Sequence, residues 1–364
     1  MLKIIISGGG TGGHIFPAVA IAKEIKDRKS DAEILFVGAI GKMEMEKVPR
    51  EGFKIVGLPI VGFNRSNMLA NLSFPFKLLK SLYKAYSVLK DFSPDIAIGV
   101  GGFASGPTLR MANFLGIKTL IQEQNSYAGV TNKILSKKAE KVCVAYPNMD
   151  KFFDSNKIVF TGNPVRKDLI DLKIEKSEAR KEFNLEPDRK TLLIVGGSLG
   201  ALSINKAIES GLNDLLNLDI QLIWQTGKNF LPQAKEKVEM LKSNRVFVSD
   251  FIYTMDKAYS AADLVISRAG ALSVSELALV GKPSILIPYP FAAEDHQTQN
   301  ALSLSTKKAA ILIKDSEISD KLVDTVTSCV SDNELLKELS ENIKKFAKPY
   351  AAKEIVDQIF KIVN

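Results

Sequence analysis

Histidine, cysteine and tryptophan are nearly absent from this 364-residue chain, at two, two and one. No cluster of His, Cys, Asp or Glu has the spacing of a metal site, and no Asp-x-Asp triplet occurs. A bound metal and a metal-assisted reaction are therefore not expected, and no cofactor motif stands in for them. Cys143 and Cys329 fit a reducing compartment as buried thiols. Long apolar runs are missing too. None approaches the roughly 18 residues that a membrane span needs. Met1 to Ile6 runs straight into glycines, without the apolar length or cleavage site of a signal peptide. A cytoplasmic chain is expected.

Acidic residues are absent from 52–90, where Lys54, Arg65, Lys77, Lys80, Lys84 and Lys90 stand. The imbalance extends over the first half. Residues 1–163 hold 22 basic and 13 acidic residues, a net of +9, whereas 164–364 hold 27 and 28, a net of −1. A one-sided positive charge suits an anionic partner. No nucleic-acid module is recognisable, so no nucleic acid is expected, and an acidic lipid surface or a pyrophosphate is preferred. From Pro75 a helix is plausible, with Lys77, Lys80 and Lys84 on one face and Leu78, Leu79, Leu82, Tyr83 and Tyr86 on the other. Core packing beneath a solvated basic face and an interfacial helix on anionic lipid both fit this pattern.

What is present is a repeated strand, glycine turn and helix. Strands are expected at Lys3–Ser7, Glu33–Val37, Asp95–Val100 and Thr119–Ile121, with a helix from about Phe16 to Lys29. The pattern restarts with Thr191–Val195 and a helix near Leu202. Ile220–Gln225, Arg245–Val248, Leu264–Ser267 and Pro283–Pro288 follow as strands, and 171–190 reads as an exposed helix and turn. Parallel sheets covered by helices are implied, in two Rossmann-like α/β domains. The expected limits are 1–163, 164–340 and a final segment 341–364, whose helix would return to the first domain. Ligands of such sheets bind beyond the carboxyl ends of strands, so the natural site is a cleft between the domains.

The strongest local signal is Gly8-Gly9-Gly10-Thr11-Gly12-Gly13-His14, between a strand and a helix. Glycines allow a sharp turn and close approach to a phosphate at the helix start. Gly8, Gly10 and Gly13 satisfy the dinucleotide spacing, but that fold wants an acid after its second strand, where Gly38-Ala39-Ile40 stands. A P-loop wants lysine where His14 is. A tight turn without ligand is the plain alternative. His14 at a helix start would be held neutral and able to accept a proton, although a capping or core histidine is equally ordinary.

Further polar or glycine-rich segments follow expected strands. Gly99–Pro107 is a second glycine loop whose N–H groups can hold an anion. Gln122-Glu123-Gln124-Asn125 suits sugar hydroxyls or an N-acetyl group, or is simply a polar loop. Arg166, after Gly162-Asn163-Pro164-Val165, can bind a phosphate or a uracil edge, or form a surface ion pair. Gly196–Ala201 suits a diphosphate. In Ser267–Glu276, the Glu276 carboxylate can accept both hydroxyls of a ribose, or only cap its helix. Ala293–Asn300 is rich in hydrogen-bonding groups.

Together these segments resemble the MurG family of peptidoglycan N-acetylglucosaminyltransferases. The matches are GGGTGGHIFPA at Gly8–Ala18, GVGGFASGP at Gly99–Pro107, QEQNSYAGVTNK at Gln122–Lys133 and TGNPVR at Thr161–Arg166. GGSLGA at Gly196–Ala201, SRAGALSVSE at Ser267–Glu276 and AAEDHQTQNA at Ala292–Ala301 continue the family order over about residues 1–305. The resemblance implies the GT-B fold and a metal-independent, inverting transfer of N-acetylglucosamine. The donor would be UDP-N-acetylglucosamine. The acceptor would be the 4-hydroxyl of the N-acetylmuramoyl unit of lipid I, giving lipid II for peptidoglycan.

On matching positions, Thr11, Gly12, Gly13, Asn125, Arg166, Ser198, Ile252, Ala271, Leu272, Ser273, Val274, Ser275, Glu276 and Gln297 would contact the donor. The Ile252 backbone would read the uracil edge. Gly13, His14, Gly101, Gly102 and Phe103 would take the acceptor pyrophosphate. His14 is the first choice of general base, with Glu123 the alternative. The partners implied are UDP-N-acetylglucosamine, undecaprenyl-linked lipid I, the anionic cytoplasmic face of the inner membrane and other cell-wall synthesis proteins. Rival readings are a UDP-N-acetylglucosamine 2-epimerase, a lipid galactosyltransferase, an NAD-dependent dehydrogenase and a non-catalytic membrane scaffold.

Overall fold

The computed structural model describes residues 1–62, 73–170, 172–197 and 199–364. Arg65 and Ser198 lie outside the described residues. The chain divides into two compact units: Met1–Arg166 with Lys348–Asn364, and Lys167–Ala347.

Unit 1 is built on strands β1 (Lys3–Ser7), β2 (Glu33–Ala39), β3 (Lys54–Leu58), β4 (Ile96–Gly99), β5 (Lys118–Glu123), β6 (Lys141–Val144) and β7 (Ile158–Phe160). They form one parallel sheet in the order β3-β2-β1-β4-β5-β6-β7. Parallel neighbours need crossovers, which bring helices onto both faces. These include α1 (Gly12–Arg28), α2 (Glu44–Arg50), α3 (Phe74–Phe92), α4 (Ser105–Phe114) and α5 (Val130–Leu135). The unbroken isoleucine run of β1 follows from that covering. Ile4 and Ile6 enter the core shared with Ile15, Ile21 and Ile25 of α1. Ile5 points the other way, into the core shared with Ala85 and Leu89 of α3.

Helix α1 starts at Gly12, four residues before the start expected from its apolar pattern. Glycines and Pro17 read as breakers, yet they build the first turns. Thr11 is extended, and its carbonyl accepts from the N–H groups of His14 (3.1 Å) and Ile15 (3.2 Å). Pro17 lies inside the helix and brings no N–H to the carbonyl of Gly13.

Helix α3 departs from the expected packing. Its buried stripe is Ser81, Ala85 and Leu89, so the close neighbour α4 meets small side chains. Leu79 and Tyr83 are therefore exposed with Phe76, and Phe114 of α4 stands out beside Tyr86. Leu79 and Tyr83 thus do not pack in the core, one of the two arrangements that fit the sequence pattern. Among the described residues no helix is long and apolar enough to cross a membrane.

Unit 2 has strands β8 (Thr191–Val195), β9 (Gln221–Gln225), β10 (Val246–Ser249), β11 (Leu264–Ser267), β12 (Ser284–Leu286) and β13 (Ile311–Leu312). The sheet is parallel, in the order β10-β9-β8-β11-β12-β13. Its helices are α6 (Lys176–Lys181), α7 (Leu202–Asn217), α8 (Leu231–Met240), α9 (Met255–Ala261), α10 (Ala271–Val280), α11 (His296–Ser305), α12 (Ile318–Ser331) and α13 (Asn333–Lys344). Trp224 is fully buried among Ile204, Ile208 and Val326, with its N–H donated to Asn205 Oδ1 at 3.1 Å.

The segment 341–364, expected as one returning helix, holds the end of one helix and a second one. The first, α13, packs on α10 and α12 in unit 2. Pro349 disfavours helical backbone at Lys348 and separates it from α14 (Ala351–Val363). Helix α14 belongs to unit 1, where Ile355, Val356 and Ile359 are buried against α1 and Arg28 pairs with Asp357 at 2.6 Å.

Candidate active site

Strand order reverses between β1 and β4 in unit 1, and between β8 and β11 in unit 2. Such reversals open a crevice at the carboxyl ends of the strands, because the adjoining crossovers leave in opposite directions. The glycine loops after β1 and β4 stand side by side at the first reversal. Gly196, Gly197 and Gly200, with Arg268–Gly270, stand at the second.

In unit 1 the two loops touch. Gly102 has φ +84°, and a Cβ there would lie 2.2 Å from the Gly9 carbonyl oxygen, so no larger residue fits. Beside it, a Cβ on Gly101 would lie 2.9 Å from His14 Nε2, which places the imidazole against the second loop. Nδ1 of His14 is 3.1 Å from Thr11 Oγ1. In the tautomer where Nδ1–H donates to that hydroxyl, Nε2 carries the lone pair that can take a proton. Ser105 Oγ lies 2.7 Å from the Ser7 carbonyl oxygen and 2.9 Å from that of Gly101, and its one hydroxyl hydrogen, shared between them, ties both loops to the start of α4. Phe103 packs across Gly62 and near Gly10.

The Gln122–Asn125 run is mostly internal. Gln122 donates to Asn163 Oδ1 at 3.0 Å, Asn163 donates to the Gln124 carbonyl at 3.0 Å, and Gln124 donates to the Val100 carbonyl at 2.7 Å. Gln122 and Gln124 are buried, so their amides brace the loop instead of facing a sugar; only Asn125 of the four is partly exposed.

Glu123 is 2 % exposed. Its Oε1 accepts from Asn125 N (3.0 Å) and Asn125 Nδ2 (3.4 Å), and its Oε2 from Gly129 N (3.1 Å) and Asn132 Nδ2 (2.8 Å). Burial pushes its carboxyl above the usual range, while the four donors pull it back. Both oxygens are thus committed to the loop that starts α5. Arg166 is half-buried at the end of unit 1's first segment.

In unit 2, Gln225 joins two of the expected segments. Its Nε2 donates to the Gly197 carbonyl at 3.0 Å, and its Oε1 accepts from Ile252 N at 2.9 Å. Of the Ile252 backbone groups, the N–H is therefore engaged within the protein. Asn205 Nδ2 donates to the Thr226 carbonyl at 2.8 Å, holding the loop after β9 against α7. Arg268 bonds Asp315 Oδ1 at 2.5 Å, Ser203 Oγ at 2.8 Å and the carbonyls of Ile287 and Pro288 at 3.2 Å. That fork fixes the loop after β11 to the end of β12.

Helix α10 then presents Leu272, Ser273, Ser275 and Glu276 as partly exposed, whereas Ala271 and Val274 are buried and offer backbone only. Tyr259 donates its hydroxyl to Glu276 Oε2 at 3.0 Å. Gln297 Oε1 accepts from Tyr289 N at 2.9 Å and anchors the turn before α11. In that turn Glu294 (φ +57°) and Asp295 (φ +52°) are left-handed, a conformation that costs energy in a non-glycine residue. Tyr259, Gln225 and Asn205 carry no local motif that marks their roles, and Arg268 lies in the Ser267–Glu276 segment without a role assigned there; each acts on a segment distant in sequence.

The other end of unit 2 holds a hollow of about 370 Å³ lined by Lys176, Lys190, Lys282, Lys337, Lys344 and Asp263. Three of the lysines have internal duties. Lys176 pairs with Asp263 (2.6 Å), Lys190 caps the Val330 carbonyl (2.6 Å), and Lys282 donates to the Ala262 carbonyl (2.7 Å). Among the described residues no group of three or more His, Cys, Asp or Glu is placed to hold a metal ion.

Residues 4–144 match the glycosyltransferase family 28 N-terminal domain and residues 191–355 the glycosyltransferase family 28 C-terminal domain. A Bacteroides thetaiotaomicron protein named UDP-N-acetylglucosamine–N-acetylmuramyl-(pentapeptide) pyrophosphoryl-undecaprenol N-acetylglucosamine transferase is 56% identical, over 100% of this chain and 98% of its own length. A protein of the same name from Porphyromonas gingivalis is also 56% identical, over 100% and 96%. The crystal structure of Acinetobacter baumannii MurG superposes with a TM-score of 0.79 at 31% identity, covering 99% of this chain and 100% of that one. With full-length identity of this order and both domains matched, the chain belongs to the MurG family of glycosyltransferases.

Proposed function

We propose that this chain transfers N-acetylglucosamine from UDP-N-acetylglucosamine to the N-acetylmuramoyl 4-hydroxyl of lipid I. The observation that carries the reading is His14, set between two touching glycine loops at the strand-order reversal of unit 1. In this reading the 4-hydroxyl oxygen attacks the anomeric carbon from the face opposite UDP, and its proton passes to His14 Nε2. The bond from the anomeric carbon to the UDP oxygen breaks, so the configuration inverts and UDP leaves as an anion. Backbone N–H groups of the glycine loops and the Arg166 guanidinium offset the charge that develops on the diphosphate. Thr11, Gly12, Gly13, Asn125, Ile252, Gln297 and the α10 segment from Ala271 to Glu276 would contact the donor, with Glu276 on the ribose. Gly101, Gly102 and Phe103 would face the acceptor pyrophosphate.

The acceptor is lipid-linked, so the enzyme must work at a membrane surface. Phe76, Leu79 and Tyr83 are exposed at helical spacing on α3, next to Lys77, Lys80 and Lys84. Exposed apolar side chains ringed by lysine suit attachment to an anionic leaflet. We assign the chain to the cytoplasmic face of the inner membrane as a peripheral protein on that ground.

Radiolabelled UDP-N-acetylglucosamine with a short-chain lipid I analogue, in excess EDTA, tests the reading. Label transferred to the lipid acceptor supports it. Label that remains on the nucleotide and changes to a 2-epimer without acceptor would replace it with the epimerase. Transfer only on adding a divalent ion would overturn the metal-independent mechanism.

A further inference from the structure

Glu44, the first residue of α2, is a carboxylate only 1% exposed, and no motif singles it out. Its Oε2 accepts from Gly10 N at 2.8 Å, and its Oε1 accepts from Ala39 N at 2.9 Å. One side chain thus joins the first glycine loop to the end of β2. Two glycines make room for it. A Cβ on Gly9 would lie 2.2 Å from the Glu44 carboxyl carbon, and one on Gly38 would lie 2.6 Å from Glu44 Cγ. Among the described residues no basic side chain pairs with it, so backbone N–H groups answer its charge.

We propose that Glu44 is a positioning residue for transfer: it sets the first glycine loop and, through it, the place of the His14 imidazole. The inference rests on the reading of His14 as the base. Glycine has the widest choice of backbone conformations, so this loop depends on contacts such as Gly9 with Gly102 and Gly10 with Glu44 to hold one. Gly9 (φ +147°) and Gly10 (φ +87°) are held in conformations that L side chains rarely adopt, and Thr11 and His14 follow within four residues. A second consequence concerns charge. The N–H of Gly10 is turned to an internal carboxylate, so it is not offered to a phosphate, and the carboxylate repels an anion on that side of the loop. The acceptor pyrophosphate is thereby directed toward the second loop, at Gly101 to Phe103.

The test uses the full chain with Glu44→Gln, Glu44→Asp and Glu44→Ala. Glutamine keeps the shape but presents an amide N–H₂ to one of the two backbone donors. The chain has only two histidines, so NMR of ring-labelled protein reads His14 against His296. In Glu44→Gln the His14 ring signals and titration midpoint should shift while those of His296 stay. On the lipid I analogue kcat should fall about 10- to 100-fold, and the donor KM, which the same loop influences through Thr11, Gly12 and Gly13, should rise by a clearly smaller factor. Glu44→Asp, one methylene shorter, should fall between. Unmoved His14 signals in Glu44→Gln overturn the proposal, as does a loss of kcat that merely tracks loss of UDP binding. If the parent chain transfers nothing, the proposed activity fails, and the NMR comparison still decides the role of Glu44.

Discussion

Tyr259 and Glu276 lie on different helices, and the phenol of the first donates to Oε2 of the second at 3.0 Å. Tyr259 is 3% exposed, so its ring is fixed by the core and its hydroxyl aims the carboxylate. If Glu276 holds the donor ribose, two variants should separate binding from aiming. Glu276→Ala should raise the donor KM strongly, with roughly 2–3 kcal/mol lost from charge-assisted hydrogen bonds. Tyr259→Phe removes one neutral donor and should raise the same KM less, by about 2- to 12-fold, or about 0.5–1.5 kcal/mol. Steady-state kinetics in UDP-N-acetylglucosamine decide it, and an unchanged donor KM in Glu276→Ala would sink the assignment.

That pair also marks where sequence reading stops. Strands β1, β8 and β11 are legible to the residue, because continuous apolar runs end at glycine or serine on parallel strands covered on both faces. The glycine loops are legible for the same local reason. Strands β7 and β13 have three and two residues, too few to carry a period. The sequence leaves the apolar face of α3 between core packing and an interface, because its buried stripe uses Ser81 and Ala85, and a scan for large apolar side chains passes over them. Tyr259, Gln225 and Arg268 act on partners 17 to 65 positions away, and only the fold brings such pairs together.

The membrane reading rests on charge and exposed apolar area together, and the two parts should respond differently. Each lysine near an anionic bilayer contributes about 1 kcal/mol at most. Replacing Lys77, Lys80 and Lys84 with Glu should release the protein from anionic vesicles, and high salt should do the same by screening. Leu79→Ser with Tyr83→Ser should weaken binding that survives salt. Activity on a soluble acceptor analogue should persist in both sets. Vesicle sedimentation that ignores both changes would move the contact to another face.

Lys282 gives a pH prediction for stability. Burial, reinforced by Lys176 and by Arg180 and Lys344, pushes its ammonium from 10.5 down to about 8. Below pH 8 both folded and unfolded chains hold the proton, and the folded state bears the full penalty of a buried charge. Between about 8 and 10.5 the unfolded chain binds more protons, so this residue's contribution to stability rises with pH. The change is on the order of 2–3 kcal/mol. Denaturant unfolding of the parent and Lys282→Met from pH 7 to 10.5 should show the parent gaining that much relative to the variant. A constant difference across the range would mean the group titrates normally.

His14 offers the most direct test of the chemistry. Its Nδ1 lies 3.1 Å from the Thr11 hydroxyl, and its ring rests against Gly101. If it is the base, His14→Ala should lower kcat by about 10²–10⁴ with little change in donor affinity. A base must be deprotonated to act, so the acidic limb of the pH–rate profile should disappear with it. His14→Gln separates base from hydrogen-bond donor, because an amide can donate to a pyrophosphate but cannot take the hydroxyl proton. Near-normal kcat in His14→Gln, with the acidic limb intact, would leave His14 as a positioning group for the acceptor. The base would then have to be sought elsewhere. Glu123 could serve only by giving up one of the four hydrogen bonds that its two oxygens accept from Asn125, Gly129 and Asn132. Asn132→Ala would then leave Oε2 with the Gly129 N–H as its one donor and raise activity in the His14→Gln background, whereas with His14 as the base it only loosens the loop.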